Sequence, residues 1–105
     1  MPTMAHAGVY SGLIHYLKAL QVLKDTKDGA KIVAKMKEMP TDDPLFGKGS
    51  IRMDGRKIHP MYLYEVKRPQ ESKSEWDVYN HLATIPAEQA FRPIDQGGCP
   101  LVTKG

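Results

Sequence analysis

One cysteine, one tryptophan and two phenylalanines are all that the 105 residues contain of those types. The lone thiol, Cys99 in Gly97-Gly98-Cys99-Pro100, excludes an intrachain disulfide and any cysteine-built zinc cluster. It stands either as a free thiol or as one half of a disulfide to a cysteine elsewhere, in a longer parent or a partner. Long apolar runs are missing too: nothing approaches the ~20 residues that span a bilayer. Met1 to Gly8 lacks the charged start and continuous apolar core of a signal peptide. The expectation is a soluble chain without an export signal of its own, as a mature chain or a fragment would also look. A dominant charge is absent as well, since 15 Lys and Arg stand against 12 Asp and Glu for a formal +3. The basic residues are scattered, and the nearest cluster, Lys24, Lys27, Lys31, Lys35 and Lys37, falls mostly on a solvated helix face. Nucleic-acid binding wants them focused on one surface, so it is not expected.

The chemistry-bearing spacings are missing in turn. His6, His15, His59 and His81 form no His-x-x-x-His or His-Glu-x-x-His pattern, so no metal is expected. Without function, His15 reads as a partly exposed helix residue, His59 as a turn residue beside Pro60, and His81 as a strand residue with one polar bond. Gly47-Lys48-Gly49 lacks the phosphate-loop spacing and no helix pattern follows it. Cys99 with His59 or His81 names a nucleophile and a base, but in a glycine- and proline-rich tail that offers no preorganisation. Asp42 and Asp43 are adjacent and read as a solvated turn rather than an acid and a base. The expectation is a non-enzyme without metal or cofactor.

What the sequence does contain is a helix, helix, strand order in a chain of one domain's length. Pro2 to Ala7 reads as a loose lead-in. From Gly8, the residues Val9, Leu13, Tyr16, Leu17, Leu20 and Leu23 recur at three- and four-residue spacing as a buried stripe, with Ser11, His15, Lys18 and Gln21 on the other side. A second helix follows a cap at Thr26 or Asp28, buries Ala30, Ile32, Val33 and Met36, and ends before Pro40. Thr41 to Pro44 is a polar turn. The organising stretch is Leu45 to Lys67: a short alternating strand around Ile51 and Met53, the turn signal Asp54-Gly55, and the run Met61 to Val66, whose apolar character suits a strand with both faces partly covered. After the polar loop Arg68 to Glu75, Trp76 to Ile85 forms a third strand, with Tyr79, His81, Ala83 and Ile85 on one face. Pro86 to Phe91 can make one helical turn. The tail from Arg92 to Gly105 is a surface wrap or loose end. The fold class is α/β, or α+β as an isolated fragment. It divides a single domain or fragment (1–105) into a helical part (8–39), a strand-rich part (45–86) and an irregular tail (87–105).

Particular residues in this order resemble the C-terminal part of type I periplasmic substrate-binding proteins, the branched-chain amino-acid and amide-type receptors of ABC transporters. They are Ala7-Gly8-Val9-Tyr10-Ser11 opening a helix that runs on to His15-Tyr16-Leu17-Lys18-Ala19, then Val33 to Lys37, Phe46-Gly47-Lys48-Gly49, Ile51 to Arg56 and Met61 to Lys67. Trp76-Asp77, Leu82 to Pro86 and Gly98 to Val102 look like one subgroup of that family. The resemblance covers nearly the whole chain, and its specificity lies in the order and spacing of the set.

The resemblance implies a periplasmic parent of two α/β lobes that close on a small solute, such as an amino acid, an amide or an aromatic acid, and present it to a membrane permease. A full member is roughly three times as long as this chain, and most ligand-binding groups lie outside the part found here. This part contributes near the start of its first helix, at Met4, Ala5 and His6, with Tyr10 one turn later. Ala5 matches a place where some relatives set an aromatic against the ligand. With alanine there, His6 or Tyr10 would reach the cleft instead. In isolation, the stripe Val9, Leu13, Leu17 and Leu20 and the strand Met61 to Val66 would leave apolar surface and open edges, so self-association is expected. The alternative to a receptor segment is a small protein-interaction or dimerisation domain with no small-molecule ligand.

Overall fold

Thr3 is the residue at which the first helix begins. Its backbone N–H donates to His6 Nδ1 at 3.0 Å, which satisfies an amide otherwise left open at a helix start. Helix α1 therefore runs Met4–Leu23, and the lead-in expected over Pro2 to Ala7 is mostly its first turn. The computed structural model describes residues 1–102, so the last three residues of the expected tail lie outside the described part. Lys24 closes α1 in the left-handed region at φ 54°. Asp28 caps α2 (Gly29–Glu38) by accepting from the Lys31 amide at 3.1 Å.

The three-stranded antiparallel sheet has the order β1 (Thr41–Asp43), β2 (Gly47–Ile51), β3 (Lys57–Ile58). Thr41 to Asp43 is thus a strand and not a polar turn. The turn comes one residue later, because Asp43 Oδ1 accepts from the amides of Leu45 and Phe46, each at 2.9 Å, and Gly47 takes a φ of +64°. Asp54-Gly55 makes the expected turn, with Gly55 at φ +84°, but it joins β2 to the short β3. His59-Pro60 then interrupts pairing, since proline has no N–H to give a ladder. The apolar run becomes β4 (Met61–Val66), paired only with β5 (Tyr79–Ile85) in a separate hairpin.

That hairpin differs from expectation on three counts. Val66 is 71% exposed and Leu63 52%, so β4 is covered on neither face. Leu82 bulges out of the ladder, since Leu63 faces Ala83 while Tyr64 faces His81. The bulge flips the side-chain parity of β5: His81 joins Tyr62 and Tyr64, with ring centroids 5.7 and 5.6 Å away, while Ala83 and Ile85 turn to the other side. The strand also starts at Tyr79 rather than Trp76. The connecting loop, with its 3-10 turn at Pro69–Glu71, is pinned by Asp77, which pairs with Lys67 at 2.6 Å and accepts from the Lys73 amide. A short α3 (Ala87–Ala90) and a 3-10 turn at Ile94–Gln96 follow.

The packing of α1 is the largest departure. Its buried residues are Ser11, His15 and Ala19, the side expected to be wet. Val9 is 70% exposed, Leu13 54% and Leu17 47%. Ser11 is tied to Asp43 of β1, His15 Nε2 donates to the Met36 carbonyl of α2 at 2.8 Å, and Lys18 Nζ reaches the Asp42 carbonyl at 2.7 Å. Polar bonds to a neighbouring carboxylate and to two backbone carbonyls thus hold α1 by its polar stripe, and His15 is buried rather than partly exposed. In α2 only Ile32 is buried, while Val33 is exposed and Ala30 likewise. Ala19 and Ile32 are the buried apolar residues of the core. The Cα radius of gyration is 17.1 Å, against about 13 Å for a globular domain of this length.

Candidate functional site

The densest polar chemistry lies where α1 meets the sheet. Ser11 Oγ donates to Asp43 Oδ2 at 2.6 Å, and Lys57 Nζ donates to the same oxygen at 2.9 Å and to Ser11 Oγ. Burial alone would raise the Asp43 carboxyl. The hydrogen bonds from Ser11, the Phe46 amide, Lys57 and the Leu45 amide outweigh it and hold the group well below the usual carboxylate range. Lys57 Nζ faces both Asp43 and Ser11 as a donor, so it offers Ser11 Oγ a hydrogen and not a lone pair. The cluster is a clasp between α1, β1 and β3, and not a nucleophilic site.

Beside the clasp runs an open groove of about 650 Å³, walled by Gly8 and Gly12 of α1, by Phe46 and His59, and by Phe91 and Cys99 of the C-terminal part. His59 lies between the aromatic rings, 4.4 Å from Phe46 and 5.5 Å from Phe91 by centroid, and donates from Nδ1 to the Pro60 carbonyl at 2.8 Å. Lys57 sits 4.7 Å above Phe46 and Arg56 5.5 Å above Phe91. Arg52 holds Asp54 with a two-pronged bond and reaches the Arg92 carbonyl at 2.9 Å. The Arg52 guanidinium keeps the Asp54 carboxyl below its ordinary value. The sequence marks His59 as a turn residue, Asp43 as part of a solvated turn and Ser11 as a residue of the wet helix face, and does not single out Lys57; the structure buries both Ser11 and Asp43. The Asp43-x-Leu45-Phe46 spacing of an Asx turn was the one local signal available.

Ala5, His6 and Tyr10 all fall in the first two turns of α1 and are exposed. His6, Tyr10, Leu13 and Leu17 succeed one another at four- and three-residue spacing, so His6 and Tyr10 share the outward stripe. The groove uses Gly8, Ser11 and Gly12 on another side. The structure therefore keeps the expected ligand contacts together but away from the groove. Because Nδ1 of His6 accepts from an amide, the ring proton sits on Nε2. Among the described residues no group of three or more His, Cys, Asp or Glu is placed to hold a metal, and no helix is long and apolar enough to cross a membrane.

The family model for periplasmic binding proteins matches residues 1–74. The chain belongs to the periplasmic binding protein family. A periplasmic binding protein from Burkholderia mallei is 47% identical, with a TM-score of 0.89 over 98% of this chain and 27% of its own. A branched-chain amino acid ABC transporter periplasmic ligand-binding protein from Burkholderia xenovorans LB400 is 40% identical, with a TM-score of 0.88 over 96% of this chain and 27% of its own. No curated protein matches. This periplasmic binding protein chain thus spans about a quarter of the length of those solved relatives, and its helix, helix, strand order is that of a C-terminal segment of the type I fold. Proteins of this family are binding receptors and not enzymes.

Proposed function

We propose that the chain serves as a segment of a periplasmic solute receptor of an ABC transporter, which closes two lobes on an amino acid, an amide or an aromatic acid and hands it to a membrane permease. The observation that carries this reading is the likeness, over nearly the whole chain, to a Burkholderia xenovorans protein described as a branched-chain amino acid ABC transporter ligand-binding protein. In this role Ala5, His6 and Tyr10 line the cleft from one side. The His6 Nε2–H donates to a solute carboxylate or carbonyl, and the small Ala5 leaves room for the solute's side chain. No covalent chemistry is involved. A pocket between lobes needs groups from both, so the chain alone is expected to bind weakly.

Isothermal titration with amino acids, short amides and aromatic carboxylates tests the reading. Saturable one-to-one heat that falls at least tenfold in affinity on His6→Ala is the expected result for a chain able to complete its cleft. Solute binding indifferent to both His6→Ala and Tyr10→Ala would rule out these contacts. A second reading is favoured by the outward apolar stripe of α1: the isolated chain associates with itself and acts as a dimerisation module. Sedimentation over a hundredfold range of concentration distinguishes the two, because a module of that kind dimerises without any solute.

A further inference from the structure

His15 turns two ring nitrogens into the interior, and one of them is used. Nε2 donates to the Met36 carbonyl at 2.8 Å, so the uncharged ring carries its proton there and Nδ1 is an acceptor. His15 is 3% exposed and Thr41 1%. Among the described residues, His15 Nδ1 and Thr41 Oγ1 are the buried side-chain atoms that have no hydrogen-bond partner. Leaving either atom unpaired costs free energy comparable with the bonds that hold the helix in place.

The two atoms face one junction. Thr41 and Asp43 stand on the same face of β1 and are buried, while Asp42 between them is exposed. Ser11 and His15 stand on the same stripe of α1. Ser11 Oγ meets Asp43 at 2.6 Å, which fixes one end of the contact. His15 lies toward the other end, because the carbonyl it binds belongs to α2, the helix that leads into β1 at Thr41. Four residues of helix advance about 6 Å and two of strand about 6.6 Å, so ring and hydroxyl fall opposite each other as Ser11 and Asp43 do. They do not bond to each other. Gly49, paired across the sheet with Thr41, adds a third group. The place its Cβ would take lies 2.9 Å from Thr41 Oγ1 and also against the Ile58 carbonyl oxygen, so no side chain separates those two oxygens.

We infer that the junction of α1, β1 and β3 holds one internal water molecule, which donates to His15 Nδ1, accepts from the Thr41 hydroxyl and turns its second hydrogen to the Ile58 carbonyl. Donors and acceptors then balance, and roughly three bonds to buried polar groups is the usual complement of an internal water. Both side-chain atoms are buried within the chain itself, so the occupant is no larger than a water. A cation is opposed by Lys57 and Lys18, which reach Asp43 and Asp42 of the same strand. An anion finds one hydroxyl and two acceptors. The Ser11–Asp43–Lys57 clasp thereby gains a wet second half one turn along α1, and His15 ties α2 to β1 and β3 through a single ring.

A crystal structure of the 105-residue chain tests the site directly. One density peak within hydrogen-bond distance of both His15 Nδ1 and Thr41 Oγ1 is expected; a dry junction, or the two side chains bonded to each other, would overturn the inference. Oxygen-17 relaxation dispersion tests it in solution, since it counts long-lived internal waters without interference from exchanging protons. Thr41→Val keeps the shape of the side chain and removes the hydroxyl, so the dispersion amplitude should fall by that of about one water, while Thr41→Ser keeps the parent amplitude. Equal amplitudes in the parent and Thr41→Val would count against the site as decisively as an empty map. Should Thr41→Val fail to fold, the density of the parent decides.

Discussion

Asp43 accepts from the Ser11 hydroxyl, the Lys57 ammonium and the amides of Leu45 and Phe46, so its carboxylate serves a helix, a strand and a turn at once. Its side chain is 2% exposed, and Asp43→Asn would leave Lys57 facing a neutral amide with part of its hydrogen bonding lost. A loss of about 2–3 kcal/mol is expected, below the full cost of breaking a buried pair because Lys57 keeps some contact with water. Urea midpoints check it. The pH dependence has a definite sign. A carboxyl whose folded pKa is depressed contributes its full stability above the unfolded value of about 3.9. That contribution drains away as pH falls below about 4 toward the folded value. Melting temperature should therefore fall steeply below about pH 4 in the parent and much less steeply in Asp43→Asn. Gly49 carries a different constraint. A methyl group there would collide with the Ile58 carbonyl oxygen and lie 2.9 Å from Thr41 Oγ1. Backbone on β3 cannot yield as a side chain would, so Gly49→Ala should cost about 3 kcal/mol, again read from urea midpoints.

At the scale of elements, hydrophobic period and hydrophobic direction come apart. The spacing of Val9, Leu13, Leu17 and Leu20 identifies α1 as a helix, and Asp28, Asp54-Gly55 and Pro86 mark real boundaries, because caps and turns are decided by neighbouring residues. Which stripe faces inward is decided by what surrounds the helix, and the assumption that apolar means inward holds only when the chain contains its own covering layer. Among the described residues no layer covers that stripe, and Ser11 and His15 go in while Leu13 goes out. The same reason made β4 look central when it is half of a bare hairpin, and it hid the Ser11–Asp43–Lys57 clasp, whose members lie far apart in sequence. Leu13→Glu and Leu17→Glu should consequently shift the urea midpoint of the monomer by no more than about 0.5 kcal/mol each. Ala19→Leu, at a position 0% exposed, should lose about 1–3 kcal/mol through overpacking. An inward Leu13 would reverse that order. Hydrogen exchange offers a second check at this scale. A two-stranded hairpin without a covered face is marginal, so amides of β4 and β5 should exchange well before those of α1 and β2.

Over the whole molecule, elongation and a thin core are one property seen twice. The principal extents are 53, 33 and 17 Å, and the apolar residues that a compact domain would fold over its centre lie along an unclosed face. Relative to an extended chain of this mass, which exposes about 17,000 Å², the folded monomer buries about a fifth less surface than a compact domain of equal size. Denaturant sensitivity follows buried surface, so the urea m-value of the monomer should fall about a fifth below that of compact domains of similar length. The heat-capacity change of unfolding should fall with it, since it too reports the surface released. Association changes both in a way that self-consistent folding would not: as concentration rises, or when a covering partner is added, m should climb toward or past the compact value while the midpoint moves up by mass action. A dilute monomer that already unfolds with the m-value of a compact domain would mean that the outward stripe is covered in solution by the chain's own segments, and the open face would then have no partner to explain.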